Sequence, residues 1–121
     1  QLAWIVEKFR AWTAAGAEWP EDAVDRDRML TNVMLYWLTG TSGSAANIYY
    51  EGTHAAWTPP VRSEVPTGVG VCGQDVSSRC VAEQANTITH WAEDDAGGHF
   101  AAMEVPERLV ADVRSFFRPL R

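Results

Sequence analysis

With 121 residues, 46% of them hydrophobic and six of them Trp, the chain is long enough for one small globular unit and too apolar for a disordered tail. Its formal charge of -6 argues against a nucleic-acid partner, because such binding gains affinity when Lys and Arg release counterions. No stretch approaches the roughly 18 uninterrupted apolar residues of a membrane span, and Cys72 and Cys80 are too few to hold zinc alone or to build a disulfide scaffold.

The chain opens on Gln1 rather than Met, and no charged region followed by an apolar run precedes its first element. No secretory signal is therefore expected, and the sequence reads as a fragment, a processed product or a truncated frame. Two free thiols in a reducing, cytoplasmic setting are the corresponding expectation.

Residues 2 to 15 place Leu2, Ile5, Val6, Phe9 and Trp12 or Thr13 three and four apart, with Glu7, Lys8 and Arg10 between them. This spacing predicts an amphipathic helix. Gly16 is its expected stop, and Pro20 follows in an acidic turn. A second helix is expected to start near Asp25 or Asp27, whose carboxylates can cap exposed amides, and to end at Gly40. Its apolar positions include Met29, Leu30, Val33, Met34, Trp37 and Leu38, broadened by Leu35 and Tyr36. That is wider than one contact needs, so burial on more than one side is expected. Residues 39 to 44 break the helix, a shorter one over 45–51 carries Tyr49 and Tyr50, and residues 52 to 64 form a loop containing Pro59 and Pro60.

The period then changes. Residues 65 to 72 lack polar alternation, as expected for a strand buried on both faces of a parallel sheet, and Asp75 falls where that strand gives way to loop. Residues 76 to 85 read as helical or coiled with Val81, Ala82 and Ala85 inward, and residues 86 to 92 as a second strand. Gly97 and Gly98 then lead into His99. A last helix starts near Pro106, carries Leu109, Val110, Val113, Phe116 and Phe117, and stops before Pro119. Two strands joined by a helical crossover form one edge of a doubly wound sheet, so further strands are expected beside them.

His54, in the loop, and His90, in a strand, are expected to be structural. His99 differs because two glycines let the backbone turn sharply and bring an imidazole over the carboxyl end of the sheet. Pattern alone leaves it open between a functional base and a turn residue. Asp75 holds the equivalent place after the preceding strand, where a carboxylate could fix the tautomer of an imidazole and steady its charged form. Asp94 and Asp95 compete for that role, their plainer reading being a solvated acidic loop. No Gly-x-Ser-x-Gly elbow or Asp version of it occurs. Ser42 and Ser44 follow a helix and not a strand, and read as linker. A tyrosine hydroxyl can stabilise an oxygen that gains negative charge. Tyr49 and Tyr50 lie about 100° apart on a helix, so at most one faces a site.

The runs LAWIVEKFRAW (2–12), LTNVMLYWLTGT (30–41), NIYYE (47–51), VPTGV (65–69), NTITHWAE (86–93) and GGHFAAMEVPERLVADVRSFF (97–117) together resemble the C-terminal region of the microsomal-type epoxide hydrolases and their bacterial relatives. The resemblance covers nearly the whole chain. It implies an α/β fold, the C-terminal portion of an α/β-hydrolase, with an incomplete parallel sheet and flanking helices. Residues 1–51 would be the end of the helical cap and the helices returning from it, and residues 52–121 the core portion carrying the acid and the histidine.

In that family an elbow aspartate opens the oxirane, two cap tyrosines activate its oxygen, and an acid–histidine pair activates water. Carried over by motif, the histidine is His99, the acid following the VPTG strand is Asp75, and the tyrosine of the Tyr-x-Glu stretch is Tyr49, with Tyr50 its neighbour. The family often has proline two residues before the acid, where this chain has Gly73. The elbow aspartate, the oxyanion-hole segment and the first cap tyrosine have no counterpart in these residues. The resemblance implies hydrolysis of a small apolar epoxide to a vicinal diol through an aspartyl ester, a detoxifying reaction without metal or organic cofactor. The missing N-terminal portion would be the required partner, and the 121-residue chain is expected to be inactive alone. The alternatives are a non-catalytic remnant that self-associates, for example as a homodimer, and a hydrolase of another substrate such as a haloalkane or ester.

Overall fold

The structure, a computed structural model, describes residues 1–14, 18–56 and 58–120. Helix α1 (Leu2–Trp12) turns Phe9 inward to 1% exposure and leaves Glu7 and Arg10 in solvent. It ends ahead of the expected stop at Gly16, which lies outside the described residues. Thr13 leaves the helix in an extended conformation and is itself buried.

Helix α2 (Arg26–Thr39) has the ends expected of it. Asp25 Oδ1 accepts the amides of Asp27 and Arg28 at 2.9 and 3.3 Å, and Gly40 closes the helix at φ 66°. The expected burial on more than one side is not found. Met29 and Val33 are buried, but Leu35, Trp37 and Leu38 are 61, 66 and 76% exposed. The reason is geometric: one face of α2 packs on α1 and the 20–24 turn, and no described element lies over the other.

Helix α3 (Ser42–His54) is longer than expected at both ends. Ser42 to Ser44 form its first turn and are not a linker, and Gly52 lies inside the helix. A glycine costs a helix only about 1 kcal/mol. Here the last turn is tied down by Thr53 Oγ1, which donates to the Tyr49 carbonyl at 3.0 Å, and by His54 Nδ1, 2.8 Å from the Tyr50 carbonyl.

Strands β1 (Pro66–Val71) and β2 (Thr87–Glu93) pair in parallel, Pro66 opposite Thr87 and Val71 opposite Glu93, and helix α4 (Arg79–Ala85) crosses between them. The small sheet is unclosed: among the described residues each strand has one free edge. The burial on both faces expected of the first strand is not found; β1 alternates between exposed and half-buried positions. Val81, expected inward, is 60% exposed. Parallel strands need cover on both faces, and only one is substantially supplied.

That cover is α6 (Pro106–Phe117), preceded by the single turn α5 (Ala101–Glu104). Phe116 lies over β1 at Gly68 and Asp112 beside Gly70. Val110, Val113 and Phe117 face away, each more than 40% exposed. The expected apolar stripe of this helix is thus split, half on the sheet and half uncovered. His90, expected to be structural, has Nε2 2.6 Å from Asp112 Oδ1 and its ring 5.9 Å from Phe116.

The tightly buried core is Phe9, Val24 and Met29, with Ile5, Phe100 and Met103 packed against it. Phe9 and Phe100 stack at 4.2 Å between ring centroids. The core therefore sits immediately behind the turn that carries His99. Among the described residues no helix is long and apolar enough to cross a membrane. Cys72 and Cys80 are not bridged.

Candidate active site

The carboxyl ends of β1 and β2 lead into two loops that meet over the sheet. Asp94 N–H donates to the Val71 carbonyl at 2.9 Å, joining them. Asp75 lies in the first loop and His99 in the second, and both line one cavity of about 530 Å³ together with Trp12 and Cys72. Burial and the neighbouring carboxylates, Asp94 and then Asp75, push the Cys72 thiol up, which keeps it protonated.

His99 is held by its surroundings more than by its ring nitrogens. Its amide donates to the Trp12 carbonyl at 2.8 Å, and its imidazole leans on the Trp12 indole at 4.7 Å and meets Phe100 edge-on at 5.0 Å. Gly97 adopts φ 76°, and Gly98 is pressed so close to the end of α1 that a Cβ would lie 2.5 Å from the Trp12 carbonyl oxygen. The two glycines thus allow the sharp turn expected of them.

Asp75 Oδ1 accepts the Ser77 hydroxyl at 2.6 Å and the Ser77 amide at 2.8 Å. These bonds, the hydroxyl's first, hold its carboxyl below the usual carboxylate range. Among the described residues no hydrogen bond joins Asp75 to His99. The sign follows from the depressed value: the contribution of the ionised loop is complete above the ordinary carboxylate pKa and is lost as pH falls through the lowered one. Ser77→Ala is expected to raise the midpoint of Asp75 in a carbon-detected NMR titration; an unmoved midpoint would count against this assignment.

The competing acids are committed elsewhere. Asp94 Oδ1 accepts the Ala96 amide at 2.9 Å and pairs with Arg108, which together hold its carboxyl down. Asp95 is fully exposed. His54 stacks on Tyr50 at 4.1 Å and bonds within α3.

Tyr49 and Tyr50 diverge as their helical spacing requires. Tyr49 meets Trp4 at 6.0 Å and lines a second cavity of about 490 Å³, mostly apolar, between α1, α2 and α3. Trp12 and Phe100 border it as well, so Trp12 lines both cavities. Lys8 Nζ sits 5.0 Å from the centre of the Trp12 indole.

Two residues outside the expected set hold these loops in place. Glu104 accepts the amides of Ala14, Gly98 and Phe100. Gln74, next to Asp75, donates to the Thr13 carbonyl at 2.6 Å. The bonds to Ala14 and Thr13 join groups far apart in the chain, for which a sequence carries no periodic or motif signal.

An open parallel sheet with flanking helices, and a histidine and a carboxylate in the loops beyond its two strands, is the arrangement of part of an α/β-hydrolase. The chain is homologous to epoxide hydrolases of bacterial, mammalian and insect origin. It is 39% identical, over its whole length, to a Stigmatella aurantiaca protein named as a candidate epoxide hydrolase, and 35% identical, over 94% of its length, to epoxide hydrolase 1 of Sus scrofa. It spans 28% of the length of each of these relatives. The crystal structure of juvenile hormone epoxide hydrolase from the silkworm Bombyx mori matches the fold with a TM-score of 0.76 at 23% identity, covering 99% of this chain and 34% of that one. No protein-family model matches.

Proposed function

We propose that this chain supplies the water-activating half of an epoxide hydrolase of the microsomal type, with His99 as general base, Asp75 as its carboxylate partner and Tyr49 as a hydrogen-bond donor to the epoxide oxygen. The observation that carries the reading is the shared cavity of Asp75 and His99 beyond the carboxyl ends of neighbouring parallel strands. Residues 1–51 serve as cap and return helices and 52–121 as core. A cytoplasmic setting belongs to the same reading.

The chemistry has two steps. An aspartate from the portion of the hydrolase that these residues do not include attacks an epoxide carbon, the carbon–oxygen bond breaks, and Tyr49 donates a hydrogen bond to the departing oxygen. The result is an aspartyl ester, which splits one difficult hydration into two easier steps. His99 then takes a proton from water, Asp75 compensates the charged ring through Oδ2 while Ser77 keeps Oδ1, and the hydroxide attacks the ester carbonyl. As the tetrahedral adduct collapses, the imidazolium returns its proton to the alkoxide expelled from the ester, the proton left on the new carboxyl passes by way of Tyr49 to the oxygen freed in the first step, and the vicinal diol leaves with the aspartate regenerated. Small apolar epoxides suit the apolar cavity beside Tyr49.

The test joins this chain to the remaining portion of the Stigmatella aurantiaca relative. The chimera is expected to convert styrene oxide to its diol and the 121-residue chain alone is not. A folded chimera that forms neither diol nor covalent ester sinks the proposal. Within the chimera, Tyr49→Phe should slow ester formation on the order of 100-fold and leave ester hydrolysis unchanged. An unaltered rate of ester formation in a rapid-quench experiment removes Tyr49 from the mechanism.

A second reading is favoured by the apolar surface of α2 and α3, where Trp37, Leu38 and Ile48 are each more than 60% exposed beside an open sheet. A non-catalytic chain covering these faces with a second copy would run as a dimer in size-exclusion chromatography with light scattering. A well-folded monomer at micromolar concentration excludes it.

A further inference from the structure

We propose that Glu104 is a positioning residue for His99 and that Gln74 is its counterpart for Asp75, both acting through the end of α1. The catalytic consequence rests on the epoxide hydrolase reading; the geometry does not.

The carboxylate of Glu104 ties the histidine turn to Ala14, 90 residues before Glu104 in the chain. Oε2 accepts the Ala14 amide at 2.7 Å and the Gly98 amide at 3.1 Å, and Oε1 accepts the Phe100 amide at 3.1 Å. His99 lies between the last two, and its own amide goes to the Trp12 carbonyl. Three consecutive amides of the histidine turn are therefore fixed, two by Glu104 and one by α1. Gly98 and Thr13 are buried here, so amides released from this arrangement would not be freely solvated. Charge-assisted bonds of this kind are stronger than those between neutral groups.

The acid side is built in parallel. Gln74 Nε2 donates to the Thr13 carbonyl at 2.6 Å, one residue before Asp75. Residues 12 to 14 thus serve as the common reference to which both loops are attached: Trp12 and Ala14 for the histidine, Thr13 for the acid. The separation of imidazole and carboxylate is set through this strip of backbone. Neither Glu104 nor Gln74 needs to touch substrate. Their loss should disturb the step that uses the His99–Asp75 pair and spare the step that does not.

Two measurements test this. The first uses the 121-residue protein, isotopically labelled, as wild type, Glu104→Ala, Glu104→Gln and Gln74→Ala. In Glu104→Ala the nuclear Overhauser contact between the Trp12 and His99 rings is expected to disappear and the His99 ring signals to shift. His90, within β2 and bonded to Asp112 of α6, makes no contact with Glu104, so it should keep its signals and so reports that the sheet remains intact. Glu104→Gln keeps one acceptor oxygen and should give a partial loss; it decides the matter if Glu104→Ala also loses the His90 signals. Gln74→Ala should shift Asp75 and leave His99 in contact with Trp12. A retained ring contact with unmoved His99 ring signals in the Glu104 variants overturns the proposal.

The second measurement uses the chimera in single turnover. Glu104→Gln is expected to slow ester hydrolysis by roughly 10- to 100-fold, since about 1 Å of misplacement costs that order, with ester formation unchanged. Equal slowing of both steps would mean a merely structural role and overturns the proposal. A wild-type chimera that forms no ester refutes the hydrolase reading instead, while the ring-contact measurement still decides the positioning of His99.

Discussion

His99→Gln, introduced into the chimera, should leave epoxide opening intact and slow release of the diol by roughly 10²–10⁴-fold, the usual contribution of a positioned general base. The substitution removes the nitrogen base yet keeps a polar side chain of similar reach beside Trp12. Because the proposed mechanism assigns opening to the attacking aspartate and Tyr49, and hydrolysis to the imidazole, the two rates should separate. The covalent ester then accumulates and appears as added mass equal to one epoxide in intact-protein mass spectrometry after a rapid quench. Asp75→Asn should accumulate the same ester. Unaltered turnover in His99→Gln would leave the turn residue with no chemical part to play.

Gly98→Ala is expected to have the largest effect on stability, about 3 kcal/mol, at the upper end of what overpacking costs. A methyl group there would lie 2.5 Å from the Trp12 carbonyl oxygen and 2.8 Å from the Ala14 nitrogen and Thr13 carbonyl carbon, all of them backbone. Side chains can swing away from an intruding carbon. Backbone atoms held by Glu104 and Gln74 cannot do so without breaking those bonds. A urea titration should show the midpoint lowered, and the ring contact between Trp12 and His99 should vanish in the remaining folded protein. An unmoved midpoint would falsify the close approach of these two segments.

The parts of the fold legible in the sequence were those written in local chemistry. Asp25 and Gly40 bound α2 because a capping carboxylate and a left-handed glycine act on neighbouring amides and carbonyls. Pro106 opens α6 for the same kind of reason. Both strands followed from their composition, and His99 stood out through the two glycines before it. Helix α3 was underestimated because Gly43 and Gly52 read as breakers, although Thr53 and His54 secure its last turn. Helix α5, only four residues long, has no room for a period.

Burial was the property the sequence overstated. Leu35, Trp37 and Leu38, and on α6 Val110, Val113 and Phe117, have the character of buried residues and no described partner to bury them. Apolar character expresses what a residue would gain from contact, while burial requires that the contacting element be there. The candidate site was half legible in the same sense: position after the two strands made Asp75 and His99 candidates and the family resemblance preferred Tyr49 to Tyr50, whereas the Thr13–Gln74 and Ala14–Glu104 bonds span 61 and 90 residues and appear only in three dimensions.

The stacking of Phe9 on Phe100 places the best-packed side chains of the chain directly against the segment that presents the imidazole. Melting and heat inactivation of a completed enzyme should consequently coincide, with no temperature at which this region has loosened while turnover continues. Efforts to raise thermal tolerance by repacking around Met29 or Met103 would disturb the turn that carries His99 as well.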